Sequence, residues 1–242
     1  MHRLGDDKVN FYLVEHPDGL VLVDAGLPSH YGQLRAALEG IGESMADIRA
    51  VLITHAHPDH VGLAERVRAE AGATVWVHEA DAPILADPSS MARHWKAERS
   101  MVPYILRRPA MLAVPIHLAR TGAFRPRPVT RLSTFAGGQT LEIAGRPQAI
   151  AVPGHTSGST AFLFPDLGIV FTGDALITRD DLVGKSGPRM VARAFTQSGK
   201  QALASFDTLE KLDAGLVLPG HGDPFTGGIA AAAAQARSAG IS

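Results

Sequence analysis

Four times in this chain a short apolar run stops at a side chain able to bind a metal. Residues 50–53 lead through Thr54 to His55, and 149–152 through Pro153 and Gly154 to His155. Residues 168–171 lead through Thr172 and Gly173 to Asp174, and 216–218 through Pro219 and Gly220 to His221. Short aliphatic runs of this kind read as buried strands, and a glycine at the exit allows a sharp turn and close backbone approach. A chain whose candidate ligands all lie just past strand ends has to bring those ends to one sheet edge. The pattern therefore predicts a layered α/β unit with a site along that edge.

The densest of these ends is Thr54-His55-Ala56-His57-Pro58-Asp59-His60, with three histidines and a carboxylate in six consecutive positions, 55–60. Neutral imidazole and carboxylate suit zinc and similar divalent ions. Residues 61–71 set apolar Val61, Ala64 and Val67 against Glu65, Arg66, Arg68 and Glu70, so a strand enters the cluster and a helix leaves it. His55 and His57, two apart at a strand end, project the same way, while Asp59 and His60 sit on the tightening turn and face a second point. Cysteine is absent, so any metal is held by nitrogen and oxygen, and disulfides and thiolate nucleophiles are excluded together.

Upstream, 9–15 and 20–23 form a predicted hairpin across His16-Pro17-Asp18-Gly19, and 31–40 reads as a helix. Asp24, where the second run stops, reads by itself as a cap or turn residue, although its placement matches that of the site carboxylates. Residues 74–77 make another strand, and His78 at its end reads as a packing or hydrogen-bonding residue. The stretch 79–135 interrupts the rhythm with prolines and with apolar residues such as Met91, Trp95, Met101 and Met111. It is expected to be a helical insert that covers the site, and its apolar residues also suit core filling or a homodimer contact. Helices over 199–212 and 229–237 close the chain.

Composition narrows the function. With 23 Lys+Arg against 24 Asp+Glu, the net charge of -1 offers no field for nucleic acid or an anionic membrane. The 242 residues and 45% hydrophobic content suit one domain spanning 1–242. The polar N-terminus lacks the apolar core of a signal peptide, which predicts cytoplasmic residence. Residues 101–118 are too broken by Pro103, Arg107, Arg108, Pro109 and Pro115 to span a bilayer. Neither a nucleotide-binding glycine loop nor a Gly-x-Ser-x-Gly elbow occurs. The expected partner is a small-molecule substrate.

Taken together, His55-x-His57-x-Asp59-His60, Pro-Gly-His155-Thr, Thr-Gly-Asp174, Pro-Gly-His221-Gly and Val-Asp24-Ala-Gly resemble the motif set of the metallo-β-lactamase superfamily, across residues 10–228. The resemblance implies a four-layer αβ/βα sandwich of two mixed sheets with a dinuclear site at one edge. It implies that His55, His57 and His155 hold one divalent ion and Asp59, His60 and His221 a second. Asp174 would bridge them, with Asp24 and Thr156 supporting the ligands from behind. Zinc is the expected metal, with iron or manganese as alternatives. Two ions roughly 3.5–4 Å apart acidify a shared water, and Asp59 is the expected proton donor to the leaving group. The thiolate-free second set resembles glyoxalase II and the acyl-homoserine lactonases. The glutathione-binding helical domain of the former has no evident counterpart, and Ala175, Leu176 and Ile177 stand where the latter usually carry a tyrosine. The expected function is thus hydrolysis of a small ester, thioester or lactone. Two rivals share the motifs: a mononuclear-iron oxidoreductase resembling the persulfide dioxygenases, and a non-catalytic metal-binding domain.

Overall fold

Strands that are apolar on both faces need cover on both sides, and the chain supplies it with two sheets and flanking helices. The computed structural model describes residues 1–241. Its first half contains strands β1 (His2–Gly5), β2 (Asn10–Val14) and β3 (Leu20–Val23), helix α1 (Tyr31–Gly40), strand β4 (Ile48–Leu52), helix α2 (Ala64–Ala71) and strand β5 (Thr74–His78). Four short helices, α3 (Ala82–Ala86), α4 (Met91–His94), α5 (Val102–Arg107) and α6 (Ala113–Arg120), precede β6 (Leu132–Phe135). The remainder holds β7 (Gln139–Thr140), β8 (Gln148–Ala151), β9 (Thr160–Phe164), β10 (Ile169–Gly173), β11 (Ile177–Asp180), β12 (Lys185–Arg189), α7 (Gly199–Leu209), β13 (Leu216–Pro219) and α8 (Ile229–Ala239).

One sheet has the order β1-β2-β3-β4-β5-β6, the other β13-β10-β9-β8-β7, and β11 and β12 pair as a separate ribbon. The first is antiparallel through the β2–β3 hairpin and parallel from β3 onward. In the second, only β10 and β13 run parallel. Both sheets are mixed, as expected of an αβ/βα sandwich.

The period-two alternation of strands decides what each residue touches. In β2 and β3, Tyr12, Val14, Val21 and Val23 face the second sheet, where they meet Phe162, Phe164 and Phe171. Their neighbours Phe11, Leu13, Leu20 and Leu22 face outward onto Leu34 and Leu38 of α1 and Val67 of α2. On the far side, Ala161, Val170 and Val217 pack against Phe206 and Leu209 of α7 and Ala232, Ala233 and Ala236 of α8. The buried Tyr12–Phe171 pair, with centroids 5.1 Å apart, joins the sheets, and Phe164–Phe171, at 5.5 Å, packs across neighbouring strands of the second.

The structure departs from the sequence expectation in places. Helix α2 starts at Ala64, not at 61, because Gly62 N and Leu63 N donate to Gly26 O (2.8 Å) and Ala25 O (3.0 Å) instead of opening a helical turn. The first residues, read only as a polar lead, form β1. The insert is four short helices, three of which contain a proline, Pro83, Pro103 and Pro115, within their first three residues. Among the described residues no helix is long and apolar enough to cross a membrane.

Candidate metal centre

The C-terminal ends of β3, β4, β8, β10 and β13 open on the same edge, and each delivers a polar side chain there. Asp24 follows β3 in a left-handed backbone conformation, φ 58°, which few non-glycine residues adopt. Buried partners hold it: its Oδ1 accepts from Thr54 N at 2.8 Å, and its Oδ2 accepts from His60 Nδ1 at 2.9 Å. Ala25 N donates to His60 O at 2.7 Å, so β3 and the histidine turn are stitched by main chain as well. Across the sandwich, Thr160 N donates to Thr54 O at 2.9 Å, which fixes the edge of one sheet to the other.

Two glycines make the close approach possible. Gly173 has φ 49°, and a Cβ there would lie 2.4 Å from Thr54 Oγ1. A Cβ on Gly220 would lie 2.4 Å from Asp174 Oδ1 and 2.7 Å from His60 Cε1. A side chain at 173 would displace Thr54, and one at 220 would displace Asp174 or His60.

The sequence-predicted residues meet in two groups joined by one carboxylate. His155 Nε2 lies 2.8 Å from His57 Nδ1 and 3.1 Å from His55 Nε2. Asp59 Oδ2 lies 3.7 Å from His60 Nε2 and 3.6 Å from His221 Nε2. Asp174 stands between: its Oδ2 is 3.5 Å from His155 Nε2 and 3.0 Å from His221 Nε2, while its Oδ1 is 3.5 Å from His60 Nε2. His78 is elsewhere, accepting from Ala80 N and donating to Ala136 O.

The electrostatics of the groups differ. Burial, aided by neighbouring imidazoles, drives the pKa of His55 and His155 well below the ordinary value, so their nitrogens are neutral lone-pair donors. Burial opposes charge on His60 and His221 too, but Asp59, Asp174 and Asp24 outweigh it and raise His60 to about 9. Asp174 and Asp59 likewise raise His221 to about 10. Burial would raise Asp174, yet His221 and His60 hold it well below the usual carboxylate range.

This donor set fits a divalent ion. His60 Nε2 and Asp174 Oδ1 are buried and have no hydrogen-bond partner, a costly state that a cation between them would relieve. Three histidine nitrogens converging at 2.8–3.1 Å exceed what one ring proton can satisfy. His55–His57–His155, His55–His60–Asp174 and Asp59–His60–His221 each bring their ligand atoms within 4.8 Å of one another. The far nitrogens are oriented as metal-binding imidazoles need: His60 Nδ1 by Asp24, His55 Nδ1 by Thr54 Oγ1, and His221 Nδ1 by the Lys8 carbonyl.

Three contributors were not read from the sequence as parts of this site. Asp81, just past β5, is buried; its Oδ2 accepts from Ala56 N (2.9 Å) and Thr156 Oγ1 (2.8 Å), and its Oδ1 from Gly158 N (3.0 Å). It thereby clamps the His55/His57 loop to the His155 loop, with Thr156 in the same network. The available signal was a carboxylate just beyond a strand end, as at Asp24. Trp95 lies edge-on to His57, centroids 4.8 Å apart, and donates from Nε1 to His155 O at 3.1 Å. Lys8 supplies its carbonyl to His221 from a strand connection that carries no motif.

A cavity of about 420 Å³ opens over the cluster, with His57, Asp59, His155, Asp174 and His221 in its lining. The insert contributes Met91, Trp95, Met101, Met111 and Leu118.

Comparison with known proteins agrees with this geometry. The family model described as the metallo-beta-lactamase superfamily matches residues 4–221. A probable metallo-hydrolase of Bacillus subtilis (strain 168), YflN, is 26% identical over 252 residues, covering 94% of this chain and 85% of its own. A hydroxyacylglutathione hydrolase of Cereibacter sphaeroides is 31% identical over 147 residues, covering 60% of this chain and 40% of its own. The crystal structure of TTHA1623 in a di-iron-bound form superposes with a TM-score of 0.60 at 28% identity, covering 95% of this chain and 96% of that one.

Proposed function

The chain belongs to the metallo-β-lactamase superfamily, and from that premise we propose that it is a metal-dependent hydrolase that opens a small ester, thioester or lactone at a dinuclear centre. The observation that carries this reading is Asp174, one buried carboxylate whose oxygens lie 3.5 Å from His60, 3.5 Å from His155 and 3.0 Å from His221. His55, His57 and His155 would hold one ion, and Asp59, His60 and His221 the other, with Asp174 common to both. Bound there, divalent ions supply an acidified water for attack and positive charge for the developing oxyanion.

The chain's own residues supply the rest. Asp24 and the Lys8 carbonyl orient His60 and His221. Asp81 and Thr156 keep the first three histidines in register. Asp59, half-buried and facing the cavity, is placed to hand a proton to the leaving oxygen or sulfur. The insert roofs the cavity and limits water access. The relative named hydroxyacylglutathione hydrolase favours an acyl substrate. Zinc, iron and manganese all suit nitrogen and oxygen ligands, and the di-iron form of TTHA1623 keeps iron among them.

The test is elemental analysis of protein purified without added metal, beside Asp174→Ala. About two ions per chain, falling towards one in the variant, together with turnover of an ester, thioester or lactone, support the reading. One iron with oxygen uptake would replace it with the oxidoreductase, and bound metal without turnover above an Asp59→Ala control would leave a binding domain.

A further inference from the structure

The walls of the cavity say more about the substrate than its floor does. Opposite the histidines, the insert presents Met91, Met101, Met111, Val114 and Leu118, and Val191 closes the facing side. At about 420 Å³ the space falls within the range of small-molecule sites, well beyond what a two-carbon acyl group needs. The cations around it are already engaged. Lys8 Nζ lies 3.0 Å from Asp7 and 2.8 Å from Asp181, and Arg179 Nε donates to Asp181 at 2.7 Å. The buried Asp180 is held by the amides of Leu182, Val183 and Ala192 and adds no positive charge. A carboxylate or phosphate lodged against these walls, away from the histidine floor, would have to pull a cation from its partner or lie unpaired among apolar side chains, which is unfavourable.

We propose that this cavity is a slot for an uncharged aliphatic acyl chain, so that the preferred substrate carries a medium-length fatty acyl group on the carbonyl that is cleaved. The proposal rests on the hydrolytic reading above and deepens it. The chain lies among the methionines, and the carbonyl reaches past Trp95, whose ring abuts His57. Three of the chain's six methionines line the slot. Unbranched, polarisable side chains re-pack around differing occupants, so the slot closes on acyl chains of increasing length until its depth is filled.

The experiment pairs turnover with binding on the protein as purified. Turnover is measured with p-nitrophenyl acetate, butyrate, hexanoate and octanoate and with the adipate monoester, which carries a terminal carboxylate. Binding of 2-alkanones of matching length is measured by calorimetry. Both kcat/KM and 2-alkanone association should rise roughly fourfold per methylene until the slot is filled. The adipate ester should be at least about tenfold slower than the hexanoate. Met111→Trp, which fills the slot, should lower the octanoate-to-acetate ratio at least about tenfold. Acetate hydrolysis with a flat length profile in both measurements, or a preference for adipate, would overturn the slot and leave the hydrolase standing. Length-dependent 2-alkanone binding without hydrolysis of any ester keeps the slot and removes the hydrolase.

Discussion

The strand-end loops and the insert face each other across one cavity and are built by opposite rules. In the loops the supporting carboxylates are fully engaged, Asp24 clamping Thr54 and His60 and Asp81 clamping Ala56, Thr156 and Gly158, while the atoms left without a hydrogen bond, such as His60 Nε2 and Asp174 Oδ1, are candidate metal ligands. The insert consists of helices of five, four, six and eight residues, and it leaves large apolar side chains in water, with Leu106 77% exposed. Tying one wall down by hydrogen bonds and building the other from adaptable apolar contacts would, in the proposed hydrolase, separate the chemistry from the choice of substrate.

The contrast can be broken from the rigid side first. His155→Ala should lower ester hydrolysis on the order of 10³-fold and reduce bound metal, read by kinetics and elemental analysis. Asp81→Ala touches no candidate ligand, yet it strips acceptors from three buried donors. It should cost about 3 kcal/mol in denaturant unfolding and weaken metal binding roughly 10–100-fold in a chelator competition. Full metal affinity in that variant would show that the loops hold their register without the clamp.

Changes in the insert should be milder. Glu98, which binds Arg193 through both carboxylate oxygens at 2.6 and 3.0 Å, anchors the insert to the segment after β12. Glu98→Gln should cost about 1 kcal/mol and raise KM while metal content stays constant. The smallest effect concerns the far end of the insert, where Glu65 accepts from Arg68 and from Thr130 N and Oγ1. The Arg68 guanidinium, with Thr130, pushes Glu65 from its ordinary 4.5 down to about 2. Because the folded-state pKa is depressed, the stabilisation is complete above 4.5 and is lost as the pH falls through about 2. In chelator-treated protein the gap in urea midpoint between wild type and Glu65→Gln should therefore shrink between pH 4.5 and 2; a gap that widens on acidification contradicts this.

What was legible in the sequence follows the same division. Strand ends announce themselves locally, so the short apolar runs before His55, His155, Asp174 and His221 were enough to predict a shared edge and a layered fold. Asp81 was not legible because its partners are 25, 75 and 77 residues away, and spacing carries no trace of such pairs. The β11–β12 ribbon was hidden for another reason. Lys185, Ser186, Gly187 and Pro188 show no apolar alternation, and the pairing is set by its context on the cavity rim. In the insert, the helices of four to eight residues are too short for an apolar period to indicate a face.

Asn10 N donates to Gly220 O at 2.7 Å, and His221 leans on the Lys8 carbonyl, 213 residues away. These contacts give the edge a history as well as a geometry. During synthesis His55, His57, Asp59 and His60 leave the ribosome early, whereas β13 emerges late and must slide in beside β10 after β11, β12 and α7 have intervened, a non-local and therefore slow kind of closure. Until it does, the nascent chain displays several candidate ligands with nothing to set their spacing. Completion of the centre thus waits on β13, and a chain stalled before residue 216 carries six of the seven candidate donors but lacks His221 and the strand that presents it.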